Sequence, residues 1–293
     1  MRKRAVAASS LRIAAPVAVL GFAALVSVIL ATARLEERSA LFLTDCAAVF
    51  VSAFASLQCW SAARAAEGRV RTGWMLFFAG TVCWTVGEIT WSVYELVLDV
   101  GVPFPSLADL AYLVGYPVLL AGILLLSMPP RGTARIRTLL DASLVAVLAT
   151  GPLWLYVASP TATESGASVL EAAIGLGYPA GDVLLLFGMA LAAMRSWRDR
   201  SGLVFGLLSV GWGLILVADF AFALADQAGT FEDGSVINAG WLMGYAFIAL
   251  GAATQVRLQP SHKAQGDAQT SSVWPTGASA VSARACGRLV HCG

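Results

Sequence analysis

Eight apolar stretches, each near the ~20 residues needed to cross hydrocarbon, constrain this chain more than any other feature. They run over about 11–33, 40–63, 73–98, 107–128, 138–158, 168–194, 202–226 and 236–256. Only 13% of the 293 residues are charged and 58% are hydrophobic, with a mean hydropathy of +0.75. A soluble domain carries about 25% charged residues. Lipid offers no partner to a bare backbone group, so each stretch is expected to be helical. The expected fold class is all-α: a polytopic membrane bundle of eight helices over 11–256, after a short cytoplasmic N-terminus over 1–10. The first stretch follows MRKR. It is too long for an ordinary signal-peptide core and lacks a clear cleavage site, so it reads as a retained helix rather than a cleaved signal.

Charge placement sets the expected orientation. All 19 basic residues except Arg34 and Arg38 fall at the N-terminus, in every second connection or in the C-terminal tail. The clusters are Arg2 to Arg12, Arg64 to Arg71, Arg131 to Arg137, Arg195 to Arg200 and Arg257 to Arg288. The other connections carry acids such as Glu36, Asp99, Glu164 and Glu232. Positive loops stay inside, which puts both termini in the cytoplasm. Cys46, Cys59 and Cys83 fall within apolar stretches and read as small apolar residues. Cys286, His291 and Cys292 lack the spacing of a zinc site, so no metal is expected.

A motif recurs three times at the spacing of one helical hairpin. Ser106 leads to Asp109 and then Gly115-Tyr116-Pro117; Ser168 leads to Glu171 and then Gly177-Tyr178-Pro179; Ser235 leads to Asn238 and then Gly244-Tyr245-Ala246. In each copy the polar residue is the third after the serine, and the glycine is the sixth after that. The pattern predicts three related hairpins, over about 73–128, 138–194 and 202–256. Serine followed by an acid at the third position is a capping box, which predicts helix caps at Ser106, Ser168 and Ser235 with Asn238. Pro117 and Pro179 remove backbone donors. Gly177-x-x-x-Gly181 and Gly240-x-x-x-Gly244 offer small faces for close packing. The tyrosines can donate hydrogen bonds across a bundle.

Carboxyl groups inside a membrane are costly and mark candidate functional positions. This chain holds Asp45, Glu88, Asp109, Asp141, Glu171, Asp182 and Asp219 within its apolar stretches, with Glu95 near an outer end. At ~1.5 Å per residue most of them lie in the outer half, Glu88 about 15 Å deep. Trp84, Glu88, Trp91 and Glu95 follow a helical period and share one face. Aromatic faces beside carboxyls suit a cationic or protonated ligand. The candidate ligand- or proton-sensing residues are therefore Glu88, Trp84, Trp91, Glu95, Asp109, Glu171, Asp219 and Asp45. No nucleophile motif, histidine cluster or phosphate loop marks a catalytic site, and no cofactor is expected.

PSLADLAYLVGYPVLLAGILLL, RTLLDASLVAV, LGYPAGDVLLL, VADFAFAL and NAGWLMGYAFIALGA together resemble the multi-spanning N-terminal region of bacterial, especially actinobacterial, GGDEF/EAL proteins of cyclic-di-GMP signalling. The resemblance covers about residues 70–260. It implies a sensory input module in a bacterial plasma membrane. The relatives it implies continue into cytoplasmic cyclase or phosphodiesterase domains. Here Gln259-Pro260-Ser261 is followed by a Ser-, Ala- and Gly-rich stretch, and 257–293 is expected to be a disordered cytoplasmic tail. The expected role is thus a non-enzymatic input module without its own output domain, or a truncated remnant. The expected partners are the lipid bilayer, a separate cytoplasmic signalling protein and a second copy of the chain; nucleic acid is not among them. The rival class is a small proton-coupled carrier, which intramembrane acids also fit.

Overall fold

The computed structural model describes residues 2–33, 35–127, 133–158, 168–196, 202–232 and 234–258. Eight helices follow one another there: α1 (Arg2–Thr32), α2 (Glu37–Ala65), α3 (Gly68–Ser92), α4 (Leu107–Ser127), α5 (Thr133–Leu153), α6 (Val169–Ser196), α7 (Gly202–Gln227) and α8 (Asn238–Leu258). Helices α3 and α5 each run on into a wider π-turn, Val93–Val97 and Trp154–Ala158. The described residues contain no strand, and the fold is all-α. Seven helices are long and apolar enough to cross a membrane. α5 is the exception to the expected eight: its apolar run among the described residues is the shorter Leu139–Leu148. Arg137 and Asp141, paired at 3.9 Å, bring charge into its first half. Cys286, His291, Cys292 and the tail beyond Leu258 lie outside the described residues, as do Arg131 and Glu164.

Six helices close a ring in the order α2, α3, α4, α6, α7, α8 and back to α2. α1 packs outside it on α8 and α2, and α5 packs outside it on α6. Successive helices α3 and α4, α5 and α6, and α7 and α8 are each packed as pairs. The arginine-bearing turn between α2 and α3 marks one end of the bundle. At the opposite end Arg38 meets Asp99 at 3.6 Å, across two connections.

Side chains are distributed as expected for lipid as the solvent. Large aliphatic groups such as Leu107, Leu148, Leu155, Val169 and Val217 point outward. The interior holds small residues, including Ala23, Ala55, Cys59, Ala62, Ala249 and Ala252, around a few aromatic rings. Apolar contact with lipid and with protein is nearly equivalent, so close backbone approach and interior hydrogen bonds decide which faces meet. Gly115 shows the point. A Cβ there would collide with the Trp84 indole, and one on Gly244 would meet Ile215 and the Gly211 carbonyl. The motif glycines of the first and third copies thus let α4 lie on α3 and α8 on α7. Gly177 lies instead against Leu113 of α4.

The capping boxes form in two copies. The Ser106 backbone N–H donates to Asp109 Oδ2 at 2.6 Å, while Ser106 Oγ accepts from the Ala108 and Asp109 N–H groups. Likewise the Ser168 N–H donates to Glu171 Oε2 at 2.6 Å, and Ser168 Oγ accepts from the Glu171 N–H. The third copy departs from the expectation. α8 begins only at Asn238, after a turn, and the Asn238 side chain donates to the Ser235 carbonyl. Ser235 Oγ is buried without a partner, so Ser235 does not cap α8. The Asn238 side chain uses its amide N–H on the Ser235 carbonyl, and the turn before α8 replaces the box found at the starts of α4 and α6. α4 and α6 continue unbroken through Pro117 and Pro179.

Candidate functional site

Each copy of the repeated motif contributes a tyrosine, and each tyrosine reaches a carboxyl group on another helix. Tyr116 of α4 donates to Asp182 Oδ1 of α6 at 2.9 Å. Tyr178 of α6 donates back to Asp109 Oδ1 of α4 at 2.6 Å. Tyr245 of α8 donates to Glu88 Oε1 of α3 at 2.7 Å. The first two bonds form a reciprocal clasp between α4 and α6. The third crosses from α8 to α3, helices that are not neighbours in the ring. The Tyr116–Asp182 bond is fully buried and the other two are partly so, and bonds sheltered from water depend on the positions of both partners.

Further donors complete the network. Trp241 Nε1 of α8 donates to Asp219 Oδ1 of α7 at 2.7 Å. Tyr112 of α4 also reaches Glu88. The carboxyls of Asp182 and Asp219 lie side by side, close enough to hydrogen-bond. Two neighbouring carboxyls titrate as a pair and can share a proton. Asp109 and Asp182 are about 5% and 6% exposed, so their partners replace water rather than supplement it.

Trp84 stands at the centre. Its ring makes edge-to-face contacts with Tyr116, Trp212 and Tyr245, at centroid distances of 5.5, 5.0 and 6.0 Å. Tyr116 in turn meets Tyr178 at 6.4 Å. The indole N–H of Trp84 is fixed on the Tyr112 carbonyl at 3.1 Å. Edge-to-face pairs of this spacing add about 0.5–1.5 kcal/mol each beyond burial. One indole therefore touches two of the three motif tyrosines.

The stripe on α3 divides into two parts. Trp84 and Glu88 enter the central cluster. Trp91 and Glu95 form a local pair, the Trp91 Nε1 donating to Glu95 Oε1 at 2.7 Å. The π-turn that begins at Val93 carries Glu95, which is only 7% exposed. Such turns widen a helix by one residue and recur at functional sites. Asp45 of α2 is buried and lies within electrostatic range of Glu88. Glu171 belongs to its own cap at the start of α6, apart from the cluster. The residues that tie the site together beyond the expected acids are Tyr112, Tyr116, Tyr178, Tyr245, Trp241 and Asp182. For Tyr116, Tyr178 and Tyr245 the signal in the sequence is the thrice-repeated Gly-Tyr, which fixes these donors but not their acceptors. Among the described residues, no group of three or more His, Cys, Asp or Glu side chains is arranged to hold a metal. No family model, curated protein or solved structure matches the chain.

Proposed function

We propose that this protein is the input module of a bacterial membrane signalling system, with its arginine-bearing ends in the cytoplasm. The observation that carries this reading is the bracing of the bundle by the three motif tyrosines, two clasping α4 to α6 and one crossing the ring from α8 to α3. Each bond joins helices distant in sequence, so a change at one carboxyl alters how three or four helices pack. A ligand or a proton that competes for Glu88, Asp109 or Asp182 would release a tyrosine and favour a second packing arrangement. α8 shares the Glu88 bond and ends at Arg257 on the cytoplasmic side of this orientation, which makes it the natural output helix. Resemblance to the membrane regions of GGDEF/EAL proteins supports the same reading. The receiver would be a cytoplasmic signalling protein, with a second copy of the chain as a further partner. The role is non-enzymatic.

A chimaera tests the reading. Residues 1–258 are fused to a cyclic-di-GMP cyclase domain, and cellular cyclic-di-GMP is compared for wild type, Tyr245→Phe and Tyr178→Phe. Output that shifts at equal protein level is expected. Equal output from all three, with the membrane part folded, contradicts the input role.

The adjoining Asp182 and Asp219 carboxyls favour a second reading, a proton-coupled carrier. Proteoliposomes would then show proton flux that Asp219→Asn or Glu88→Gln abolishes. Flux absent from the wild type across a broad substrate panel rejects it.

A further inference from the structure

A cavity of about 320 Å³ lies outside the central ring, between α5, α6 and α7. Val145, Asp182, Met189, Ser209, Trp212 and Leu216 are among its walls. It lies in the half of the bundle nearer the α6–α7 connection, away from the capping boxes. Its size reaches the range of ~300–1,000 Å³ typical of small-molecule pockets. The lining is almost wholly apolar, with two exceptions besides Asp182. Ser209 Oγ and Trp212 Nε1 are buried, and neither has a hydrogen-bond partner. Trp212 as a whole is only 5% exposed.

Orphaned donors at such a place are costly, because neither lipid nor a dry cavity can satisfy them. The other indole N–H groups described above all have acceptors: Trp84 on a carbonyl, Trp91 on Glu95 and Trp241 on Asp219. Ser209 and Trp212 are three residues apart on α7, hence neighbours on one helix face. Two adjacent donors match the two lone pairs of one carbonyl oxygen. Ser209 Oγ can donate or accept, but the Trp212 N–H can only donate and offers a cation nothing, and an anion would face Asp182. The remainder of the wall asks for an apolar body. We propose that this cavity binds an uncharged, apolar carbonyl compound dissolved in the bilayer, held through its oxygen by Ser209 and Trp212. Binding does not require the signalling role. If that role holds, the site is coupled to the network directly, since Trp212 packs on Trp84 and Asp182 accepts from Tyr116.

Benzophenone serves as both probe and label, because it is an apolar ketone that crosslinks on irradiation. The full chain is purified in detergent, irradiated with graded benzophenone and mapped by peptide mass spectrometry. Saturable labelling on α6 and α7, centred on Met189, is expected. The ketone 2-undecanone should compete, and undecane should not. Ser209→Ala and Trp212→Phe should each weaken apparent affinity about fivefold, the value of one net hydrogen bond. Ala190→Phe, which fills the cavity and keeps both donors, should abolish the site, so the test survives if Trp212→Phe misfolds. Labelling that does not saturate, spreads over outward-facing residues, or persists in Ala190→Phe overturns the proposal. Equal competition by undecane also overturns it, since the oxygen would then contribute nothing.

Discussion

Tyr245 and Glu88 are separated by most of the chain, yet their 2.7 Å bond links two helices that do not adjoin in the ring. Removing the hydroxyl in Tyr245→Phe leaves Glu88 with less than its full set of donors. A loss of about 1–3 kcal/mol is expected, read as a lower midpoint of reversible unfolding in mixed micelles. Tyr156→Phe is the control: its ring is largely outward, and no change is expected. Gly115 gives a prediction of steric origin. Its Cβ would enter the Trp84 ring, so Gly115→Ala should cost about 1–3 kcal/mol and disturb tryptophan fluorescence. Gly206→Ala, with nothing within 4 Å of its new Cβ, should leave stability unchanged or slightly raised.

At the scale of the element, the repeated motif is one sequence pattern with two structural outcomes. Ser106 and Ser168 close capping boxes because an acid at the third position can return a bond to the serine N–H. Asn238 instead turns its amide N–H onto the Ser235 carbonyl, and α8 starts three residues after Ser235 rather than one. Ser168→Ala should therefore destabilise the protein by about 0.5–2 kcal/mol, measured by thermal unfolding. Ser235→Ala, which removes an unpartnered hydroxyl, should be neutral or stabilising. The existence of the helices was legible from the apolar runs, because lipid leaves the backbone no other solution; the short apolar run of α5 was not. The cap on α4 was legible too, from Ser106 and Asp109. What stayed hidden was pairing. Nothing local in the sequence says that Tyr116 chooses Asp182 while Tyr178 chooses Asp109; that depends on α4 and α6 being neighbours, with α5 displaced to the outside. The same displacement explains why the cavity could not be foreseen.

For the whole molecule, the arrangement is a ring of six helices with an aromatic and carboxyl centre and an aliphatic outer surface. The proposed orientation rests on where the arginines lie. In a cysteine-free background, Asp99→Cys should react in intact cells with a membrane-impermeant maleimide, and Arg69→Cys should react only after the cells are opened. The reverse result would put the carboxyl-rich half on the cytoplasmic side and remove the outward-facing input. The claim beneath all of this is that tyrosine–carboxyl bonds, not apolar contact alone, fix how the helices sit. A double-mutant cycle on Tyr245→Phe and Glu88→Ala, measured by reversible unfolding in micelles, tests it most directly. The account predicts a coupling energy of about 0.5–2 kcal/mol, with the double variant less destabilised than the two single losses combined. Losses that simply add would show that the bond carries no coupling, and the cross-braced ring would be contradicted.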